Sequence, residues 1–153
     1  MSAKSCCFFG HRNIDEPDAL QKRVRSVIEG LIVEGRADTF LFGSRSQFDS
    51  LCLKIVTEMQ EKYPHIKRIY VRAEFPHISE RYKSYLLESY DDTYFPSQIL
   101  GAGRAAYVER NFEMIAKSAI CIVYYRESAA GRKSGTKIAL NHAIKQKREI
   151  IRV

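Results

Sequence analysis

Short apolar runs alternate with longer amphipathic runs along the whole chain, and this alternation limits the folds open to it. The run at residues 6–9 is short and wholly apolar, which is typical of a strand buried on both faces. After it, Leu20, Val24 and Ile28 recur at the spacing of a helix with one apolar face. Repeated strand–helix units predict an α/β fold in three layers, a Rossmann-like, doubly wound and mainly parallel sheet of about five strands.

The same pattern divides the chain into elements. The predicted strands are 6–9, 39–42, 66–71, 119–125 and 149–153. The predicted helices span about 17–32, 48–59, 105–115 and 133–147. The stretch between 74 and 103 is less regular, and could hold a short Tyr-rich helix within 78–89 and a short strand at 93–95.

Length and composition suit a single domain over residues 1–153. The chain is 45% hydrophobic and 28% charged, which excludes collagen, a coiled coil and a disordered tail. No apolar run is long enough to cross a bilayer, and the first apolar run is shorter than the core of a signal peptide. We therefore expect a cytoplasmic protein with no membrane partner.

The cysteines do not form a metal-binding or redox pattern. The chain has 4 of them, and they make no C-x-x-C pair and have no histidine at zinc-ligand spacing. Each lies in an apolar run, where a free cysteine behaves as a small buried hydrophobe. The sequence thus predicts no metal site and no cofactor.

The net charge of +7 favours anionic partners. Much of this charge is scattered over helix faces, as at Lys22, Lys62 and Lys145. No basic run interleaved with aromatic residues is present, so nucleic acid is a possible partner but not the favoured one.

Three loops at predicted strand ends share a chemistry suited to anions. They are Gly10-His11-Arg12, Gly43-Ser44-Arg45 and the segment from Gly131 to Thr136. Glycine allows close backbone approach, and arginine can bind phosphate with a forked pair of donors. Ser134, Gly135 and Thr136 open a helix, whose free amides attract negative charge. Because ligands bind at the carboxyl ends of parallel strands, we expect these loops to meet at one anion site.

Structural explanations stay open for each loop. Glycine after a strand is ordinary turn chemistry, and Ser134 could act only as a helix N-cap. The ring of His11 could bind ligand or could instead bond to neighbouring backbone. One helix face could add to the site, since Arg104, Tyr107 and Asn111 fall at i, i+3 and i+7. That face could equally be a solvated surface.

Two familiar phosphate-binding motifs fail. Gly131-Arg132-Lys133-Ser134 lacks the Gly-Lys order of a P-loop. The segment 101–106 matches G-x-G-x-x-A in letters, but it follows no strong first strand and lacks the acidic partner of a dinucleotide fold. The predicted pocket therefore has no classical dinucleotide fingerprint.

The order of the short motifs resembles the SLOG superfamily, the Rossmann-like group of Smf/DprA domains and LOG phosphoribohydrolases. The motifs are Gly10-His11-Arg12, Gly43-Ser44-Arg45, Arg110-Asn111 and Ser134-Gly135-Thr136. The chain is most similar to the small, single-domain bacterial branch. The resemblance implies a pocket for a nucleotide or nucleotide-derived ligand, a sensor or effector role, and a homo-oligomer.

The chain departs from the LOG enzymes at their catalytic carboxylate. Their Gly-Thr turn continues to a glutamate, whereas Thr136 is followed here by 137–140, which contain no carboxylate. Catalytic residues are thus unknown, with Glu74, Asp91, Asp92 and Glu109 as open candidates. Nucleotide binding is the first hypothesis, a nucleoside 5′-monophosphate phosphoribohydrolase the alternative, and DNA binding as in Smf/DprA the third.

Overall fold

Strands and helices alternate as the sequence predicts. The computed structural model describes residues 4–126 and 134–153. Its strands are β1 (Ser5–Gly10), β2 (Thr39–Phe42), β3 (Lys67–Val71), β4 (Asp92–Tyr94), β5 (Ile120–Tyr124) and β6 (Glu149–Arg152). Its helices are α1 (Pro17–Val33), α2 (Gln47–Lys62), α3 (Glu80–Leu86), α4 (Ala106–Lys117) and α5 (Gly135–Lys145), with short 3-10 turns at Ser97–Ile99 and Gly103–Ala105.

The strands form one sheet in the order β4-β3-β2-β1-β5-β6, and every pairing is parallel. The described residues therefore contain six strands instead of about five. The additional strand is β4, where Thr93 pairs with Tyr70 at the edge of the sheet. Three residues are too few to show a clear alternation, which explains why the pattern left this strand open.

Helices cover both faces of the sheet, which confirms the three-layer, doubly wound fold. Along β1, Cys6 and Phe8 face the apolar residues of α1 and α2. Their neighbours Cys7 and Phe9 face those of α4 and α5. Side chains of a strand alternate between faces, so a strand that is apolar throughout needs cover on both sides.

All four cysteines are buried and unpaired by disulfides. Burial raises the pKa of the Cys6 and Cys52 thiols well above the ordinary value. Cys7 Sγ lies 3.4 Å from Cys121 Sγ across β1 and β5.

Within the described ranges, no helix is long and apolar enough to span a membrane.

The order of the strands reverses between β1 and β5. The chain proceeds outward from β1 to β4 and then returns to place β5 on the other side of β1. In open parallel sheets, such a switch point leaves a crevice at the carboxyl ends of the strands. The loops after β1 and β2, and the start of α5, therefore lie near the same edge.

We expect Gly10→Ala to destabilise the protein by about 1–3 kcal/mol, because a methyl group there overpacks the core. A Cβ at Gly10 would lie 2.2 Å from Cδ2 of Phe48, whose side chain is fully buried. Gly30→Ala is the matched control, since nothing lies within 4 Å of that position in α1. Alanine favours a helix, so the control should gain about 0.5–1 kcal/mol. Urea unfolding measures both, and equal effects would contradict the packing argument.

Candidate functional site

Two adjoining cavities lie at the carboxyl edge of the sheet. The arginine cavity has a volume of about 640 Å³ and is lined by Arg12, Arg45, Arg72 and Arg110, together with aromatic residues and Glu74. The α5 cavity has a volume of about 570 Å³ and is lined by the loops after β1 and β2, by α4 and by the start of α5. Arg12, Ser44 and Arg45 line both cavities and form their common wall.

Most of the residues predicted from sequence line these cavities. The α5 cavity contains Gly10, His11, Arg12, Ser44, Arg45, Asn111, Ser134, Gly135 and Thr136. The arginine cavity contains Gly43 and Tyr107 as well as the shared wall. Gly131 lies outside the residues that the structure describes. The described residues of the three loops therefore lie at one edge of the sheet.

Arg104 is the predicted residue that lies apart. It is exposed, lines neither cavity, and belongs to the 3-10 turn that precedes α4. The spacing from Arg104 to Asn111 assumed one continuous helix, whereas α4 begins at Ala106. Tyr107 and Asn111 do share α4 but line different cavities.

The ring of His11 is hydrogen-bonded to the protein backbone. Its Nε2 accepts a hydrogen bond of 2.8 Å from the amide of Arg126, just beyond the end of β5. The ring also lies edge-on to Tyr124, with centroids 5.8 Å apart. Of the two roles left open by the sequence, the structure shows the backbone bond, which links the strands on either side of the switch point.

The backbone amides of the loop after β2 donate hydrogen bonds to a side chain of α2, that of Asp49. Oδ2 of Asp49 accepts hydrogen bonds from the amides of Gly43, at 3.4 Å, and Ser44, at 3.1 Å. Oδ1 of Asp49 is buried and has no hydrogen-bond partner among the described residues. Burial raises the pKa of Asp49 from 3.8 to about 6, against the opposing effect of those two amides. The anion chemistry of this loop therefore falls to Arg45.

Two buried arginines shape the arginine cavity, and neither was among the predicted binding residues. Nη1 of Arg110 donates to the carbonyls of Gly43 and Val71, and its Nε donates to Asn111 Oδ1 at 2.9 Å. Arg72 donates from Nε to the carbonyl of Phe75 at 3.2 Å. Burial lowers the pKa of both guanidinium groups.

The hydrogen bonds of Arg72 continue across the sheet. Its Nη1 donates to Thr93 Oγ1 at 3.0 Å, and Thr93 Oγ1 in turn donates to the carbonyl of Tyr70. The available sequence signal for Arg72 was a charged residue directly after a predicted strand. For Arg110 the signal was its place in the Arg110-Asn111 motif, one of those on which the resemblance was based.

The arginine cavity carries an excess of positive charge. Among the described residues that line it, four are arginines and Glu74 is the one carboxylate. Over residues 4–126 and 134–153, none of these four arginines forms an ion pair with a carboxylate. Nor do three His, Cys, Asp or Glu side chains gather there in a way that could hold a metal ion. The cavity can therefore attract an anion by side-chain charge alone.

The start of α5 offers backbone donors to the α5 cavity. Ser134 is the N-cap, and its hydroxyl accepts the Lys137 amide at 3.1 Å. The amides of Gly135 and Thr136 open the helix and have no acceptor in the described part of the chain. Ser134 thus acts as a cap, while the two amides after it remain available to an anion.

A third, smaller cavity adjoins the arginine cavity. It measures about 270 Å³ and is lined by Asp49, Ser50 and Tyr90 as well as Ser44 and Arg45. Ser44 and Arg45 therefore line all three cavities. The exposed guanidinium of Arg45 is the side chain most central to the whole edge.

Comparison with known proteins shows the fold. No protein-family model matches the chain, and no curated protein matches it. Among solved structures, the chain is similar to the Moco carrier protein of Chlamydomonas rheinhardtii, with a TM-score of 0.57 and 15% sequence identity. The match covers 100% of this chain and 77% of that protein. At this identity the likeness shows a shared Rossmann-like α/β architecture.

We expect the carboxyl of Asp49 to make the protein less stable as the pH rises from about 4 to about 7. Its pKa is about 6 in the folded chain against 3.8 ordinarily, so folding strengthens proton binding. The stability gained from that proton is fully present below the ordinary pKa and is lost as the pH passes the raised one. The whole change is about 3 kcal/mol, at about 1.4 kcal/mol per pKa unit.

Asp49→Asn tests this dependence. The free energy of unfolding of the wild type relative to Asp49→Asn should decrease across that pH range, as measured by urea titration at several pH values. Asp15→Asn, at an exposed position, is the control and should follow the wild type. A constant difference between the wild type and Asp49→Asn would contradict the raised pKa.

Proposed function

We propose that this protein binds a nucleotide or a nucleotide-derived anion at the carboxyl edge of its sheet. The observation that carries the proposal is the wall shared by two cavities, where Arg12 and Arg45 lie without carboxylate partners among the described residues. Guanidinium groups bind phosphate strongly because they offer a planar fork of charged donors.

The start of α5 supports a phosphate on the α5 side of that wall. Gly135 and Thr136, whose amides open α5, line the same cavity as Arg12. A helix N-terminus and an arginine together provide both partial and full positive charge. A phosphate between them would gain donors from two elements that are distant along the chain.

The resemblance to the SLOG superfamily supports the nucleotide as the ligand class. Residues of the common wall and of the start of α5 belong to the motifs that carry this resemblance. A sensor or effector role and a homo-oligomer are implied by the same resemblance. The absence of a carboxylate after Thr136 favours binding without turnover.

We expect Arg45→Ala to weaken the binding of nucleoside monophosphates by at least about tenfold, since it removes charged donors from the common wall. Arg104→Ala is the matched control, because Arg104 is equally exposed but lines neither cavity. Isothermal titration calorimetry with AMP and GMP measures both variants. Equal losses in the two variants would count against a site at this edge, and so would a wild type that binds neither nucleotide.

A second candidate is a hydrolase that cleaves the base–ribose bond of a nucleoside monophosphate. Of the four candidate carboxylates, Glu74 lines the arginine cavity, whereas Asp91 is bound to Arg68 and Gln60. In such a reaction water adds to C1′ of the ribose, the C–N bond breaks, and the base leaves with a proton. An exposed glutamate beside the substrate could accept the proton from that water.

Release of free base separates the two candidates. If the protein is a hydrolase, chromatography should detect free base from AMP or GMP, and Glu74→Gln should reduce its rate by about a hundredfold or more. Glu80→Gln, an exposed residue outside the cavities, should retain the wild-type rate. Binding without release of base contradicts the hydrolase and leaves the binding proposal in place.

A further inference from the structure

Two guanidinium groups in the arginine cavity donate hydrogen bonds to the protein. Each nevertheless has one nitrogen with no hydrogen-bond partner in the described part of the chain. Arg72 is 8% exposed and Arg110 is 3% exposed. Each donates from Nε and Nη1 to protein acceptors, and neither Nη2 bonds to a described residue. Both residues line the arginine cavity, so these Nη2 donors are available to an acceptor supplied by a ligand.

Among its described residues, the same cavity holds one carboxylate and several aromatic rings. Glu74 lies two residues after Arg72 and forms no ion pair with a described residue. The aromatic side chains that line the cavity are Tyr70, Phe75, Tyr82 and Tyr107. Aromatic rings and guanidinium planes both stack well on flat heterocycles.

Phe75 is held at the edge of this cavity at a cost. Its φ is 60°, in the left-handed region that bulky residues rarely adopt, and its side chain is 56% exposed. For a bulky side chain this backbone conformation is unfavourable. The ring meets that of Tyr82 edge-to-face, with centroids 6.0 Å apart. A strained backbone that presents an exposed aromatic ring to a cavity fits contact with a ligand.

We propose that the arginine cavity binds the heterocyclic ring of the nucleotide and prefers an amino-oxo edge, as in guanine; this rests on the proposed function. Guanine offers O6 and N7 as acceptors, which match the free Nη2 donors of Arg72 and Arg110. Its N1–H and N2 amino group are donors, which match the carboxylate of Glu74. Adenine places a donor where guanine has O6, and therefore loses an arginine contact.

The charges that remain favour a ring over a second phosphate. A phosphate at the common wall engages Arg12 and Arg45 and leaves Arg72, Arg110 and Glu74 in the rest of the arginine cavity. A second phosphate would lie beside that carboxylate, which repels it. A neutral ring with acceptors on one edge and donors on the next can bond to the arginine donors and to the Glu74 carboxylate. Pterins carry the same amino-oxo edge, so they are the other source of this chemistry.

Ring preference is tested by calorimetry on the full chain with GMP, AMP and ribose 5-phosphate. We expect GMP to bind about tenfold more tightly than AMP, because AMP loses one charged hydrogen bond from an arginine to the ring. We expect ribose 5-phosphate to bind more weakly than either nucleotide. Guanosine and neopterin, compared without phosphate, then distinguish a guanine site from a pterin site.

Glu74→Ala identifies the group that reads the ring. We expect this variant to weaken GMP about tenfold and to leave ribose 5-phosphate unchanged, since the phosphate is bound elsewhere. Glu80→Ala is the matched control and should bind all three probes as the wild type does. Both positions are exposed, so neither variant removes buried packing.

Each result has a definite meaning for the inference. Equal affinities for GMP, AMP and ribose 5-phosphate overturn the ring site and leave the proposed anion binding in place. Tighter binding of adenosine 3′,5′-bisphosphate than of GMP also overturns it, by showing a second anion in the cavity. Failure of all these probes to bind overturns the proposed function, and this inference with it.

Discussion

The carboxyl edge of this sheet depends on the buried guanidinium of Arg110. It reaches from α4 to the carbonyls of Gly43 and Val71, which follow or end the neighbouring strands β2 and β3. A Cβ at Gly43 would lie 2.7 Å from Nε of Arg110 and 2.8 Å from Sδ of Met114, so these two side chains favour glycine there. Arg110 therefore holds the loop after β2, forms part of the wall of the arginine cavity and contributes to its positive charge.

Side chains, more than backbone, supply the positive charge at this edge. In dinucleotide-binding folds, glycine-rich turns bring backbone amides to the phosphates. Here Asp49 already bonds to the amides of Gly43 and Ser44, and Phe48 fills the space beside Gly10. The glycines after β1 and β2 are needed for packing within the protein, and Arg12 and Arg45 carry the charge.

Sequence reasoning could place the loops but not the contacts within them. Parallel strands put their carboxyl ends at one edge, so the pattern of apolar runs was enough to bring His11, Ser44 and Ser134 together. The partner of His11 could not be inferred, because it is the backbone of Arg126, which is distant in sequence. Asp49 looked like an ordinary residue in the first turn of a helix, and its burial depends on how α2 packs. The place of Arg104 was missed because a 3-10 turn interrupts the assumed helical spacing.

The left-handed backbone of Phe75 has a consequence for how this protein could be engineered. Glycine at that position would relax the chain and remove an exposed apolar ring, and both changes should favour folding and solubility. A screen for thermal tolerance would thus select against the very ring that contacts the ligand in our proposal. At functional sites a substitution that raises stability often lowers activity, because the functional residues are not the most stable choice for the fold.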